Sequence, residues 1–152
     1  MRIENSCVLV TGGSSGLGAA CVANLLHQNA NVVIADLSEP AESLLREFDG
    51  RVVYAQTNVC DEAETRAAIG MGEDRFGPLQ GVVTCAGVLH AERLWPRDGV
   101  ASLDAFRRVL DVNLIGTFNT LRLCGEAIAR RNPDADGERG VMVMTSSVTA
   151  FE

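Results

Sequence analysis

Five short apolar runs, each separated from the next by a stretch with helical spacing, constrain this fold more than any other feature. They span residues 7–10, 31–36, 52–57, 79–85 and 140–145. Runs this short and continuous predict strands buried on both faces. Residues 17–28, 39–48, 61–76 and 102–131 carry the helical patterns between them. Ser102 is placed to cap the last helix, and Asn132-Pro133 to stop it. Strands alternating with helices predict an α/β fold, a parallel sheet covered on both faces. Within 102–131, Phe106, Leu110, Asn113, Thr117, Leu121, Cys124 and Ile128 follow one helical stripe, which is expected to be buried. Met142 and Met144 alternate with Val141 and Val143 and are expected in the core. Two long polar connections, 88–101 and 132–139, follow helix or strand ends, where function tends to sit. Trp95, in the first of them, is expected to anchor its loop.

A chain of 152 residues predicts one domain, and a 47% hydrophobic content allows a substantial core. The net charge of -7 argues against a nucleic-acid surface and against an anionic membrane. No apolar run reaches the length of about 20 residues that a membrane helix needs. The opening MRIENSCVLV has neither signal-peptide nor transit-peptide character. Cys7, Cys21, Cys60, Cys85 and Cys124 are odd in number and scattered, mostly in apolar runs. They predict buried free thiols in a reducing, cytoplasmic setting rather than a disulfide framework or zinc site. His27 and His90 have no partner at ligand spacing, so no metal is expected.

Between the first strand and the first helix stands Val10-Thr-Gly-Gly-Ser-Ser-Gly-Leu-Gly18. Bare backbone there lets a pyrophosphate approach, and the following helix offers free N–H groups and a positive dipole end. Gly12 is expected to turn the chain off the strand. Gly16 is expected to permit close approach, and Gly18 to let helix pack on strand. The spacing lacks the Gly-Lys-Ser/Thr ending of a nucleoside-triphosphate loop. A plain flexible turn would share the glycines. Asp36, at the end of the second strand, is placed to accept both adenine-ribose hydroxyls and to repel a 2′-phosphate, which favours NAD. As a turn aspartate or helix cap it would look the same. Cys85-Ala86-Gly87 after the fourth strand and Thr145-Ser146-Ser147 after the fifth fall at the same sheet edge. Ligands of open parallel sheets bind at that edge. Asn113, inside the apolar stripe, is either a core amide satisfied by a neighbouring carbonyl or part of that site.

Taken together, Thr11-Gly12-x-x-x-Gly16-x-Gly18, Asp36, Asn58-Val59, Cys85-Ala86-Gly87, Asn113 and Ser147 resemble the short-chain dehydrogenase/reductase family. The resemblance covers the whole chain. Within the family, CAGV, FRRVLDVNLIGTFN and RGVMVMTSSVTAFE look like the 3-hydroxyacyl-CoA dehydrogenase group. It implies a Rossmann-type doubly wound parallel sheet of about five strands, ending before the family's C-terminal strands. It also implies hydride transfer between NAD and a secondary alcohol or ketone, an acyl-CoA substrate among them. By family role, Ser147 would hydrogen-bond the reacting oxygen and Asn113 would hold a water in a proton relay. Ser15 and Leu17 would contact the pyrophosphate, and Asn58 and Val59 would flank the adenine. Cys85, Ala86 and Gly87 would line the ribose. Asn58 and Cys85 depart from the aspartate and asparagine usual at those positions.

The family's proton donor is a tyrosine followed four residues later by a lysine. An ammonium nearby favours the tyrosinate of a group whose ordinary pKa is about 10. This chain has one tyrosine, Tyr54, and its 13 basic residues are all arginine. The chain alone is therefore expected to be inactive. It reads as the N-terminal part of a dehydrogenase or as a short dinucleotide-binding protein without catalysis. A flavodoxin-like domain fits the sheet pattern too, but leaves Asp36, Asn113 and Ser147 unexplained. With the fifth strand at an edge, a homo-oligomer is expected.

Overall fold

The computed structural model describes residues 2–95 and 99–147. In chain order the elements are β1 (Cys7–Thr11), α1 (Gly16–His27), β2 (Asn31–Asp36), α2 (Glu42–Glu47), β3 (Val52–Gln56), α3 (Glu62–Phe76) and β4 (Leu79–Thr84). Then come α4 (Leu103–Leu110), a π-helical turn (Asp111–Gly116), α5 (Thr117–Ala129) and β5 (Val141–Met144). The five strands form one sheet in the order β3-β2-β1-β4-β5, with every pairing parallel. The strand order reverses direction between β1 and β4, the Rossmann switch point, which a flavodoxin-like order would put elsewhere.

Alternate residues of each strand point to opposite faces, and β1 to β4 each serve two cores. On one face Val8, Val10, Val32 and Ile34 pack with Val22 and Leu26 of α1. On the other, Leu9, Val33 and Val82 pack with Ala68 and Ile69 of α3 and Leu123, Cys124 and Ile128 of α5. Asp61 caps α3, its carboxylate accepting from Glu64 N at 3.0 Å. Ser102 caps α4, its hydroxyl accepting from Ala105 N at 3.2 Å. Helix α2 is shorter than its pattern because Pro40 holds its neighbourhood extended.

The expected stripe along 102–131 is buried only in its second half. Phe106 is 57% exposed, and α4 buries none of its residues. The π turn accounts for part of this, since its extra residue rotates α4 relative to α5. Only α5 lies against the sheet, and it buries Asn119, Thr120, Leu123, Cys124, Ala127 and Ile128. Strand β5 stands at the sheet edge, as expected, but its four residues are 42–59% exposed. It pairs with β4 alone among the described residues, so Met142 and Met144 are not core. Trp95 is 82% exposed, so it is not the buried loop anchor expected. The thiols are all free, but only Cys7 and Cys124 are buried; Cys21 and Cys85 are half-buried and Cys60 is exposed. No helix among the described residues is long and apolar enough to cross a membrane.

Candidate functional site

The glycine turn is built against the end of β4. Gly12 has φ +64°, and a Cβ there would lie 2.7 Å from Ala86 N. Ala86 N also donates to Thr11 Oγ1 at 3.3 Å, and Cys85 N to Thr11 O at 3.0 Å. The turn and the β4 end therefore form one unit. A Cβ on Gly18 would meet Gly12 O at 2.0 Å, so this glycine lets α1 close on the turn itself rather than on the strand. Gly16 differs: it has φ +52° and nothing within 4 Å of its would-be Cβ. Sterics of the protein do not require that bareness.

Ser15 is the N-cap of α1, with extended backbone, and its side chain makes no capping bond. The first helical bond runs from Ala19 N to Ser15 O at 3.0 Å. The N–H groups of Gly16, Leu17 and Gly18 lie ahead of it, at the positive end of a 12-residue helix with no acidic residue in its first turn. That is a place for an anion.

Asp36 closes the neighbouring corner. Its Oδ2 accepts from Ser14 N at 3.0 Å and its Oδ1 from Ser38 N at 3.1 Å. It is thus both a turn aspartate and a tie to the glycine loop. A carboxylate has about four lone-pair sites, so two remain for a diol. Tyr54 Oη donates to Asp36 O at 3.3 Å, and its phenol is pushed above its ordinary pKa by burial, then by Glu39 and Asp36.

After β3, Asn58 Oδ1 accepts from Cys60 N at 3.1 Å, and Asn58 N donates to Glu64 Oε2 at 2.6 Å. Cys60 Sγ donates to Asp111 O at 3.2 Å; partial burial and Asp111 raise its pKa. After β4, Asn113 brackets one residue: Oδ1 accepts from Val88 N at 2.8 Å and Nδ2 donates to Val88 O at 2.9 Å. Asn113 is exposed rather than core, and it steadies the segment that carries Gly87.

Every residue expected to hold the cofactor lines one cleft of 850 Å³: Gly12, Ser15, Gly16, Leu17, Gly18, Asp36, Asn58, Val59, Cys85, Ala86 and Gly87. Asn113 does not line it but holds Val88, which does, and Ser147, an exposed residue just beyond β5, is not among its lining residues. Thr145, between β5 and Ser147, donates to Cys85 Sγ at 3.5 Å. Sequence reasoning missed Arg108, Asp111, Val112 and Ile115, which also line the cleft. Their spacing marks one helix face, a signal the apolar stripe obscured.

A parallel sheet in this order, with a cleft at the switch point floored by a glycine turn, defines a Rossmann-type α/β fold. The sequence profile described as short chain dehydrogenase matches residues 6–152, and the chain belongs to that family. It is 39% identical to a 3-hydroxyacyl-CoA dehydrogenase type-2 of Drosophila melanogaster, over 99% of this chain and 60% of the relative. The Homo sapiens protein of the same name is 35% identical, over 99% and 59%. A crystal structure of 3-hydroxyacyl-CoA dehydrogenase type-2 from Mycobacterium avium superposes with a TM-score of 0.90 at 35% identity, covering 100% of this chain and 61% of that one. The chain thus spans about three-fifths of the length of these relatives.

Proposed function

We propose that residues 1–152 form a single NAD-binding domain of an oxidoreductase. The reaction it serves is hydride transfer between NAD and a secondary alcohol or ketone. The names of the relatives suggest 3-hydroxyacyl-CoA as the substrate class. One observation carries this reading: the open space at Gly16 adjoins an uncapped helix N-terminus and Asp36 within one cleft. The residues fit the cofactor. The N–H groups of Gly16 to Gly18 would bind its pyrophosphate, Asp36 its adenine ribose, and the 58–59 segment its adenine. Cys85, Ala86 and Gly87 would line the second ribose. NAD supplies or accepts the hydride when bound. Ser147 would hydrogen-bond the reacting oxygen, and Asn113, by holding Val88, would set the β4 wall of the cleft.

The residues present favour binding over turnover. Tyr54, the single tyrosine, lies on β3 at the opposite edge of the sheet from β5 and Ser147, and no lysine exists to lower its pKa. We infer that these 152 residues alone bind NAD without catalysis. The exposed apolar side chains of β5 and α4 favour a homo-oligomer. Five unpaired thiols fit a reducing, cytoplasmic setting. Calorimetric titration of the chain with NAD, NADP and FMN tests the reading. NAD is expected to bind tightest, with no NAD-dependent oxidation of a 3-hydroxyacyl-CoA. Preference for FMN contradicts the cofactor, and robust turnover contradicts the inactivity.

A further inference from the structure

The segment joining β3 to α3 forms one wall of the cleft, and its backbone is held from a different part of the chain. Asn119, on α5, donates from Nδ2 to Val59 O at 2.8 Å and lies 3.4 Å from Thr65 Oγ1. Asn119 is 6% exposed and Val59 7%. Arg122 donates to Asn119 Oδ1 from Nε at 3.1 Å and from Nη2 at 2.8 Å. A guanidinium can only donate, so it selects the oxygen end of the amide and leaves the NH₂ end facing Val59. Arg122 is fixed in turn by an ion pair with Glu62, at the start of α3. Gly116 completes the clamp: a Cβ there would lie 2.5 Å from Val59 Cγ2, so its absence lets the helix approach the wall. Asn119 does not itself line the cleft.

We propose that Asn119 is a positioning residue for dinucleotide binding: through Val59 O it sets the wall against which the adenine half rests. This rests on the NAD reading above. Asn119→Asp separates the two halves of the role, because a carboxylate keeps both Arg122 bonds and loses the donor to Val59. Arg122→Gln, at the half-exposed outer end of the clamp, is a second variant that leaves the core untouched. The 152-residue chain and both variants are titrated calorimetrically with NAD and with AMP, and amide exchange is followed by NMR. Asn119→Asp is expected to weaken NAD and AMP by the same factor, about fivefold to tenfold, and Arg122→Gln by about twofold to threefold. Exchange at Cys60 N should accelerate, while the amides of residues 12–18 keep the exchange of the unsubstituted chain. Undiminished AMP binding by Asn119→Asp overturns this inference alone. So does exchange that rises equally at residues 12–18, since that marks general loosening. Failure of the unsubstituted chain to bind either ligand overturns the NAD reading and this inference with it.

Discussion

Gly16→Ala separates the fold of the glycine turn from its use. Gly16 has φ +52° and no atom within 4 Å of the place a methyl would take, so alanine meets only the left-handed backbone penalty. That penalty is about 1–2 kcal/mol, offset by about 0.4–1 kcal/mol because alanine restricts the unfolded chain. The net is about 1 kcal/mol, or a fall in Tm of about 2–4 °C for a chain of this size. Gly12→Ala is the contrast. It adds to the same strain a Cβ 2.7 Å from Ala86 N and 2.8 Å from both Ala86 Cα and Cys85 C, all backbone atoms that cannot swing aside. Such overpacking costs about 3 kcal/mol or more, a large share of the stability of an ordinary domain. In Gly16→Ala the new methyl instead takes up open space at a residue that lines the cleft, where we expect it to crowd a ligand at the α1 N–H groups. Each hydrogen bond to a charged group lost there is about 1.5–3 kcal/mol, which weakens NAD about tenfold to a hundredfold. Thermal melts followed by circular dichroism and calorimetric NAD titrations read both effects. If Gly16→Ala binds NAD within about twofold of the unsubstituted chain, the open space at Gly16 is not the pyrophosphate cradle and the reasoning is wrong.

Asp36→Asn should weaken NAD about tenfold and narrow the gap between NAD and NADP, because the charge that repels a 2′-phosphate is gone; an unchanged NAD-to-NADP ratio in competitive titrations contradicts the role of Asp36. Burial raises the Cys7 and Cys124 thiols from 9.0 to about 12. The unfolded chain releases these protons from about pH 9 while the folded chain keeps them, so their contribution is complete below pH 9 and is lost as pH rises toward 12. Urea unfolding between pH 8 and 11 should show that fall, up to about 1.4 kcal/mol per pH unit per thiol, and Cys124→Ala should make it roughly half as steep, Cys7 remaining. Val143→Lys, at a 47%-exposed position of the edge strand, should reduce self-association in sedimentation while changing stability by less than about 0.5 kcal/mol; equal association excludes β5 from the contact.

What the amino-acid sequence reveals of this fold follows from how locally each feature is determined. The five strands were readable within about a residue because a strand buried on both faces must be a continuous apolar run. The glycine turn and the Asp36 corner of the cleft are legible for a similar reason. Gly12 and Gly18 answer to close approach, and Asp36 to the end of β2, all within one βαβ unit. The helix from α4 to α5 was not readable to that depth. No pattern of residues announces the π turn at Asp111–Gly116, and that turn decides which asparagine does what. Asn113, inside the apolar stripe, emerges exposed and bonded to Val88, whereas Asn119, outside it, is the buried amide. The place of β5 at a sheet edge agrees with expectation, but the core packing expected of Met142 and Met144 does not hold, because an apolar run does not say which of its faces is covered.

The central claim is that the bare N-terminus of α1, with Asp36 beside it, receives the pyrophosphate of NAD. Nitrogen-15 NMR spectra recorded during an NAD titration test it most directly, through the amides of Gly16, Leu17 and Gly18. Saturable shifts and slowed exchange at these amides, absent when adenosine replaces NAD, are the predicted result. Saturable NAD binding that leaves them unmoved, or no binding at all, would contradict it.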